Sequence, residues 1–139
     1  MKKIITLSAL LLAVAFTFSS CNKQKSLMRR LVGDWNIDKF EATITPTGGG
    51  AGAPFTFANV GVLTFKDGGT GSSVMTILGQ TTNSTYVWVN TETTITVTES
   101  GQTPTVYTVT TNEKDKQVWS FTESDQTSTT TGTISLTRK

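Results

Sequence analysis

Residues 84–100 read STYVWVNTETTITVTES and predict two consecutive β-strands. Aromatic and β-branched residues alternate in the first half, and Ile95 and Val97 alternate with threonines in the second. Alternation with a period of two places every second side chain on the same face of a strand. The polar NTE segment between the halves is typical of a short turn. The stretch therefore predicts an antiparallel hairpin.

The same pattern recurs along most of the chain. Threonine supplies 27 of the 119 residues from Cys21 onward, and its β-branched side chain favours strands. Clusters of Gly, Asn and Asp divide the pattern into eight predicted strands, at residues 34–45, 55–66, 71–79, 84–90, 92–99, 104–111, 116–123 and 130–138. Sequential antiparallel strands with short links close most simply into a barrel, which removes the exposed sheet edges. The sequence therefore predicts an all-β fold, a single eight-stranded antiparallel up-and-down barrel.

The connections of such a barrel alternate between its two ends. The even-numbered connections are compact and polar, and they comprise residues 66–71, a turn near 91 and residues 112–115. The odd-numbered connections include the Gly-rich segment PTGGGAGAP, and they comprise residues 46–54, 79–83, 100–103 and 124–129. We therefore expect a closed end, or floor, at the even connections and a looser rim at the odd ones.

The first twenty residues have the pattern of a cleaved signal peptide. Lys2 and Lys3 precede an apolar stretch at residues 4–18, and Ser19 and Ser20 follow it. The stretch is shorter than the ~20 residues that span a bilayer. We therefore predict that residues 1–20 are removed and that the mature chain has no membrane-spanning helix.

The only cysteine, Cys21, follows this segment directly, and Phe18-Ser19-Ser20-Cys21 resembles the lipobox of bacterial lipoproteins. The resemblance implies that the thiol receives a diacylglycerol, that cleavage occurs before it and that the new amino group is acylated. It predicts Cys21 as the lipidation site, residues 21–26 as a lipidated tether and residues 27–139 as the domain. The alternative is an ordinary signal peptide followed by a free thiol.

The charges are distributed unevenly around this anchor. The chain's net charge of +2 disappears with the signal peptide, and from residue 31 onward six basic residues face ten acidic ones. Four basic residues near the anchor could meet anionic lipid head groups or belong to a solvated tether, namely Lys23, Lys25, Arg29 and Arg30. The acidic domain argues against a nucleic-acid partner.

The residues after Cys21 also indicate which membrane of the cell envelope holds the anchor. NKQK lacks the acidic pair that resembles a surface-export signal in Bacteroides-type lipoproteins, and it lacks the aspartate that retains lipoproteins at the inner membrane in enteric bacteria. We therefore expect an anchor in the outer membrane, on its periplasmic face.

Three motifs resemble a known family. RLVGDWNIDKF at residues 30–40 resembles the G-x-W signature of lipocalin and wider calycin barrels, through Gly33 and Trp35. GVLTFKDGGTG at 61–71 resembles their second hairpin, and VWSFTES with GTISLTRK resembles their last two strands. The chain is similar to the small lipocalin-like domains of Bacteroides-type lipoproteins.

This resemblance implies the structure of the floor. In lipocalins a basic residue late in the last strand packs across the first strand's tryptophan, and Arg138 matches that position, with Lys139 as the alternative if the register shifts by one. Gly33, Trp35 and Arg138 would then be structural floor residues. A short helix at 27–32, indicated by Ser26 as a cap and by the one-turn spacing of its leucines, would lie beside them.

The predicted interior is rich in aromatic residues, which indicates a largely filled barrel and at most a shallow pocket at the rim. Sixteen residues are predicted to point inward: Trp35, Ile37, Phe57, Leu63, Phe65, Met75, Ile77, Tyr86, Trp88, Ile95, Val97, Val106, Trp119, Phe121, Ile134 and Leu136. We assign Phe55, Phe57 and Trp88 to the shallow pocket, for a small apolar or amphipathic ligand. The alternative is a structural or protein-interaction module with a fully packed interior. We expect no cofactor.

The inventory of reactive side chains argues against an enzyme. The chain has no histidine, which excludes Ser-His-Asp and Cys-His schemes and imidazole-bound metals. Paired carboxylates could catalyse glycoside hydrolysis, but the pairs Glu113 with Asp115 and Glu123 with Asp125 flank turns, where solvated charge is common. We therefore predict no catalytic residue and no metal site.

The strand at 84–90 is apolar on both faces, because Val87 and Val89 alternate with Tyr86 and Trp88. This pattern predicts a protein partner or a second copy against its outer face. A flattened sandwich that buries the strand on both sides would produce the same pattern.

Overall fold

A computed structural model describes residues 23–139, and the predicted signal peptide and Cys21 lie outside the described residues. A helix, α1, at residues 23–31 precedes eight strands. The strands are β1 Gly33–Pro46, β2 Ala53–Lys66, β3 Thr70–Ile77, β4 Gln80–Asn90, β5 Thr94–Glu99, β6 Thr105–Asn112, β7 Lys116–Ser124 and β8 Ser128–Arg138. Each strand pairs with the next, and β1 pairs with β8, so that the sheet closes into a barrel. The predicted barrel is confirmed, and the flattened sandwich is excluded.

An irregularity in β1 lets this strand place side chains inside both the lower half of the barrel, next to the floor, and the upper half, next to the rim. Trp35 and Ile37 are buried inside the lower half. The pairing of β1 with both neighbours then shifts between Ile37 and Lys39, at a bulge. The bulge reverses the alternation, so that Phe40 and Ala42 point inward in the upper half. The Thr137 hydroxyl donates a hydrogen bond to the Asp38 carboxylate at 3.0 Å beside this bulge.

Helix α1 covers the floor, as the sequence predicted. Its residues Leu27 and Leu31 are fully buried in the core. The helix also contacts the even-numbered connection between β4 and β5, because the Gln24 amide donates to the Asn90 carbonyl at 2.8 Å and Lys23 forms an ion pair with Glu92 at 2.9 Å. These contacts explain why residues 23–26, expected to be part of the tether, are helical.

The floor is completed by Arg138 and Trp35. The Arg138 guanidinium carbon lies 4.4 Å from the centroid of the Trp35 ring, and its nitrogens donate to the Val32 and Arg30 carbonyls at 2.7 and 2.8 Å. The buried indole N–H of Trp35 donates to the Leu31 carbonyl at 2.7 Å. At Gly33, φ is +130° and an added Cβ would lie 2.4 Å from Arg138 Nη1, so only glycine fits. Arg138, rather than Lys139, therefore joins the helix to the barrel.

The turn between β3 and β4 is tighter than the sequence predicted. It consists of Leu78 and Gly79, with φ angles of 51° and 79°, so β4 begins at Gln80 instead of residue 84. Positive φ at both central positions is the requirement of a type I′ turn, a two-residue hairpin turn whose twist matches the flanking strands. The polar TTN segment that the sequence assigned to a loop is therefore part of a strand.

The facing of β6 also differs from the prediction. Val106 is 52% exposed, whereas Tyr107 and Val109 pack against the core. Tyr107 alternates with Val109, whereas Val106 alternates with Thr108 and Thr110, so the pattern of this strand itself favours Tyr107 as the inward residue. An error of one residue in the facing of a strand moves all of its predicted inward side chains to the outer face of the barrel. The other predicted inward residues all belong to the core.

We predict that Arg138→Ala lowers the free energy of unfolding by about 2–3 kcal/mol, because it removes two charge-assisted hydrogen bonds and a cation–π contact. Lys139→Ala is the matched control, since it removes the neighbouring exposed charge and should change stability by less than about 0.5 kcal/mol. Urea unfolding followed by tryptophan fluorescence measures both. Equal effects of the two substitutions would contradict the role of Arg138.

Candidate functional site

The barrel encloses an interior cavity of about 190 Å³. It extends from Ile77, next to the rim, to Phe65 and Trp119 near the floor. Fourteen residues line it: Ile37, Phe40, Val60, Leu63, Phe65, Ser73, Met75, Ile77, Tyr86, Val97, Glu99, Tyr107, Trp119 and Ile134. An engineered apolar cavity of about 150 Å³ is large enough to bind benzene. The expectation of a filled interior with only a shallow pocket is therefore wrong.

The cavity persists although the interior is rich in aromatic residues. The rings contact one another in an unbroken series, with centroid distances of 5.8 Å for Phe40–Phe121 and Phe121–Tyr107 and of 5.7 Å for Tyr107–Trp119 and Trp119–Phe65. Strand β3 contributes small residues instead. At Gly71 an added Cβ would lie 2.3 Å from the Tyr86 ring, so the ring occupies the place of a side chain. Because β3 contributes Gly71 and Ser73 to the interior and no aromatic ring, part of the barrel interior stays unfilled.

One charged side chain lies in the wall of this apolar cavity. Glu99 accepts a hydrogen bond from the Ser84 hydroxyl at 3.1 Å, and the Ser84 and Ser73 hydroxyls lie 2.7 Å apart. Ser73 is almost completely buried. Among residues 23–139, Glu99 forms no ion pair, and none of the residues that line the cavity is basic. The cavity therefore combines an apolar wall with one acidic group.

A polar mouth joins the cavity to the rim. It is lined by Val97, Glu99, Gln102, Thr103, Thr105, Tyr107 and Glu123. Three of these residues, Val97, Glu99 and Tyr107, also line the interior cavity, so the two spaces adjoin. The Thr105 hydroxyl donates to the Glu123 carboxylate at 2.5 Å. A molecule that enters from the rim therefore passes two carboxylates.

The two tyrosines of the cavity keep their phenol protons at neutral pH. Burial raises the pKa of Tyr107 to about 12, and the charges of Glu123 and Glu99 add to the effect. Burial also raises the pKa of Tyr86, again with a contribution from Glu99. The Tyr86 hydroxyl donates to the Thr64 carbonyl at 3.0 Å. Both phenols therefore act as neutral, aromatic parts of the wall.

The structure separates Trp88 from the other two residues that the sequence assigned to the rim pocket. Phe55 and Phe57 lie in the rim half of β2, where Phe55 stacks against Phe40 at 6.1 Å, but neither lines the cavity. Trp88 lies at the floor, because its backbone N–H donates to Gly69 O at 2.7 Å and its indole donates to Thr70 O at 3.0 Å. Its predicted rim position is wrong, since β4 runs from the rim to the floor and Trp88 is close to its end.

Sequence reasoning missed the polar residues of the cavity, although a signal for them exists. Glu99 has the same parity as Ile95 and Val97, which were predicted to point inward. Ser73 has the same parity as Met75 and Ile77. Residue type alone assigns charged and small polar residues to the surface, whereas the alternation of their own strands places these two on the inner face.

The outer face of β4 is exposed. Val87 is 55% and Val89 is 68% exposed, as expected for a strand that is apolar on both faces. The partner expected on this face stays a prediction.

The described part of the chain, residues 23–139, contains no group of three or more His, Cys, Asp or Glu side chains placed to hold a metal ion. It also contains no helix with the length and apolar character needed to cross a membrane.

Solved structures similar to this chain include a redesigned β-barrel and a lipocalin-like protein. No protein-family model and no curated protein matches the chain. A redesigned β-barrel is 21% identical with a TM-score of 0.47, over 81% of this chain and 95% of that one. A lipocalin-like protein from Bacteroides uniformis is 13% identical with a TM-score of 0.48, over 79% of this chain and 98% of that one. The fold assignment rests on the strand pairing described above.

We predict that stability falls at alkaline pH, because the raised tyrosine pKa values disfavour ionisation in the barrel. Below about pH 10 the phenols are protonated in the folded and the unfolded chain, and their contribution is constant. Between about pH 10 and pH 12 only the unfolded chain loses these protons, so the free energy of unfolding falls by about 1.4 kcal/mol per pH unit for each tyrosine.

Urea unfolding at a series of pH values, for the wild type and Tyr107→Phe, measures this slope. The substitution should remove one of the two contributions. An unchanged slope in Tyr107→Phe would show that Tyr107 ionises as readily in the barrel as in the unfolded chain.

Proposed function

We propose that the chain is a lipid-anchored, lipocalin-like protein of the cell envelope that binds one small apolar or amphipathic molecule inside its barrel. The observation that carries this proposal is the interior cavity, whose wall is mostly apolar and which adjoins a polar mouth. Transfer of an apolar group from water into such a cavity is favourable by about 25 cal/mol per Å² of buried surface. The proposed role is binding without catalysis.

The size of the cavity limits the ligand. A volume of about 190 Å³ is smaller than the range of about 300–1,000 Å³ typical of pockets for drug-sized molecules. It suits a single ring or a short chain. A long acyl chain or a retinoid would project through the mouth.

The proposed anchor determines how the barrel is oriented. Residue 23 already contacts the floor through the Lys23–Glu92 ion pair. A lipidated Cys21 would be only two residues away, a reach of about 7 Å. The floor would then lie against the membrane, with the mouth pointing away from it. Lys25 and Arg29 are exposed one turn apart on α1, where they could meet anionic head groups.

This orientation suits a ligand that arrives from the aqueous phase. We place the anchor in the outer membrane, on its periplasmic face, on the strength of the residues that follow Cys21. The rim would then face the periplasm, and a ligand could enter without crossing the lipid surface.

We predict that Val97→Phe blocks the cavity. Val97 lies where cavity and mouth meet, so a larger side chain there should weaken the binding of 2-phenylethanol at least about tenfold, from a dissociation constant on the order of 0.1–1 mM. Val106→Phe is the matched control, because it makes the same change on the outer face of the barrel. Calorimetry measures binding, and the indole N–H resonance of Trp119 reports its location. Equal affinity for wild type and Val97→Phe would contradict an interior site.

We also predict that Cys21→Ala releases the protein from the membrane. The full-length chain is expressed in a bacterium that processes lipoproteins, and its membrane and soluble fractions are compared by immunoblot. Ser20→Ala, which keeps a small residue before the cleavage point, should stay in the membrane fraction. Retention of Cys21→Ala in the membrane, or an unmodified Cys21 thiol by mass spectrometry of the wild type, would contradict the anchor.

A further inference from the structure

We propose that the ligand of the interior cavity carries a protonated amine, which the Glu99 carboxylate binds, while the apolar remainder of the ligand fills the cavity. This inference rests on the proposed function, since it names the chemical class of the molecule bound there.

The charge of the cavity is the first argument. Glu99 is the one charged residue among the fourteen that line the cavity. Among residues 23–139 neither Glu99 nor Glu123 forms an ion pair. Glu99 is only partly exposed, so solvent weakens its attraction to an opposite charge less than it would on the open surface. A cationic ligand would supply that charge.

The geometry around Glu99 is the second argument. Ser84 donates its hydroxyl hydrogen to Oε1 at 3.1 Å and is itself in contact with Ser73 at 2.7 Å. Within the described part of the chain, Oε2 accepts no hydrogen bond. The serine pair therefore orients the carboxylate and leaves one oxygen for a donor on the ligand. A charge-assisted hydrogen bond of this kind is among the stronger polar interactions in proteins.

The aromatic wall is the third argument. Tyr86 lies directly opposite Glu99 in the pairing of β4 with β5, and Tyr107 lines both the cavity and the mouth. The electron-rich faces of such rings attract cations. Burial keeps the phenols neutral by raising the pKa of each, as described above. The rings therefore add to the attraction for a cation without adding charge.

The same features disfavour anionic ligands. A molecule entering the mouth passes both Glu99 and Glu123, and the lining of cavity and mouth contains no basic residue. Clefts lined by charges of one sign concentrate ligands of the opposite sign and repel ligands of the same sign. Fatty acids and other carboxylates of suitable length should therefore bind poorly.

The experiment compares three ligands that share a phenyl ring and a short side chain: 2-phenylethylamine, 2-phenylethanol and phenylacetate. Calorimetry at pH 7 and low ionic strength measures their affinity for the purified protein. We expect the amine to bind at least about tenfold more tightly than the neutral alcohol, and the acid to bind more weakly than the alcohol.

Glu99→Gln then tests the assigned carboxylate. It keeps the size of the side chain and its hydrogen bond with Ser84, but it removes the charge. The amine should lose its preference over the alcohol, because the attraction between opposite charges is gone, and the affinity of the alcohol should change much less than that of the amine. Glu113→Gln, which removes a carboxylate in a floor connection, is the matched control and should preserve the preference for the amine.

The outcomes separate this inference from the proposed function. If alcohol and amine bind equally to the wild type, or if Glu99→Gln keeps the preference, the amine inference is overturned while the binding function stands. If none of the three ligands binds at millimolar concentration, both are overturned.

Discussion

The pairing of β1 with β8 is the constraint on which the rest of this structure depends. It runs without a gap from the floor, where Trp35 faces Arg138, to the rim, where Pro46 faces Ser128, apart from the bulge after Ile37. Closure fixes the volume of the interior, because no strand can move outward without breaking hydrogen bonds on both sides. It also carries Arg138 to the place where its side chain can join helix α1 to the barrel. The floor is therefore sealed by the same pair of strands that closes the wall.

A closed wall with a sealed floor leaves the rim as the route to the interior. The side chains do not fill that interior, because aromatic rings contact one another in series while β3 contributes glycine and serine. The cavity forgoes packing contacts, which reduces stability in the free protein, and Glu99 places a carboxylate in its wall. Features that lower stability without serving the fold are typical of functional sites. A ligand with an apolar body and a cationic group would compensate both.

Much of the fold, but little of the site, follows from the sequence. Alternation with a period of two identifies the strands and most inward residues, since Trp35, Ile95 and Leu136 each have polar neighbours. At Val106 and Tyr107 two strand-forming residues are adjacent, and the inward one is Tyr107, whose parity Val109 shares. The position of Trp88 follows from the direction of β4, and this information was present in the strand order. The cavity could not be predicted, because an unfilled volume depends on how rings such as Tyr86 settle against Gly71, and the number of aromatic residues does not determine it.

The central claim is that the barrel holds an apolar space that a small molecule can enter. A crystal structure of the protein under xenon pressure tests it most directly, because xenon binds apolar cavities without requiring specific polar contacts. The account predicts a xenon atom between Val60, Leu63 and Ile134, with the surrounding side chains unmoved. A structure without xenon in the interior, in which Met75 or Phe40 occupies the space instead, would contradict it.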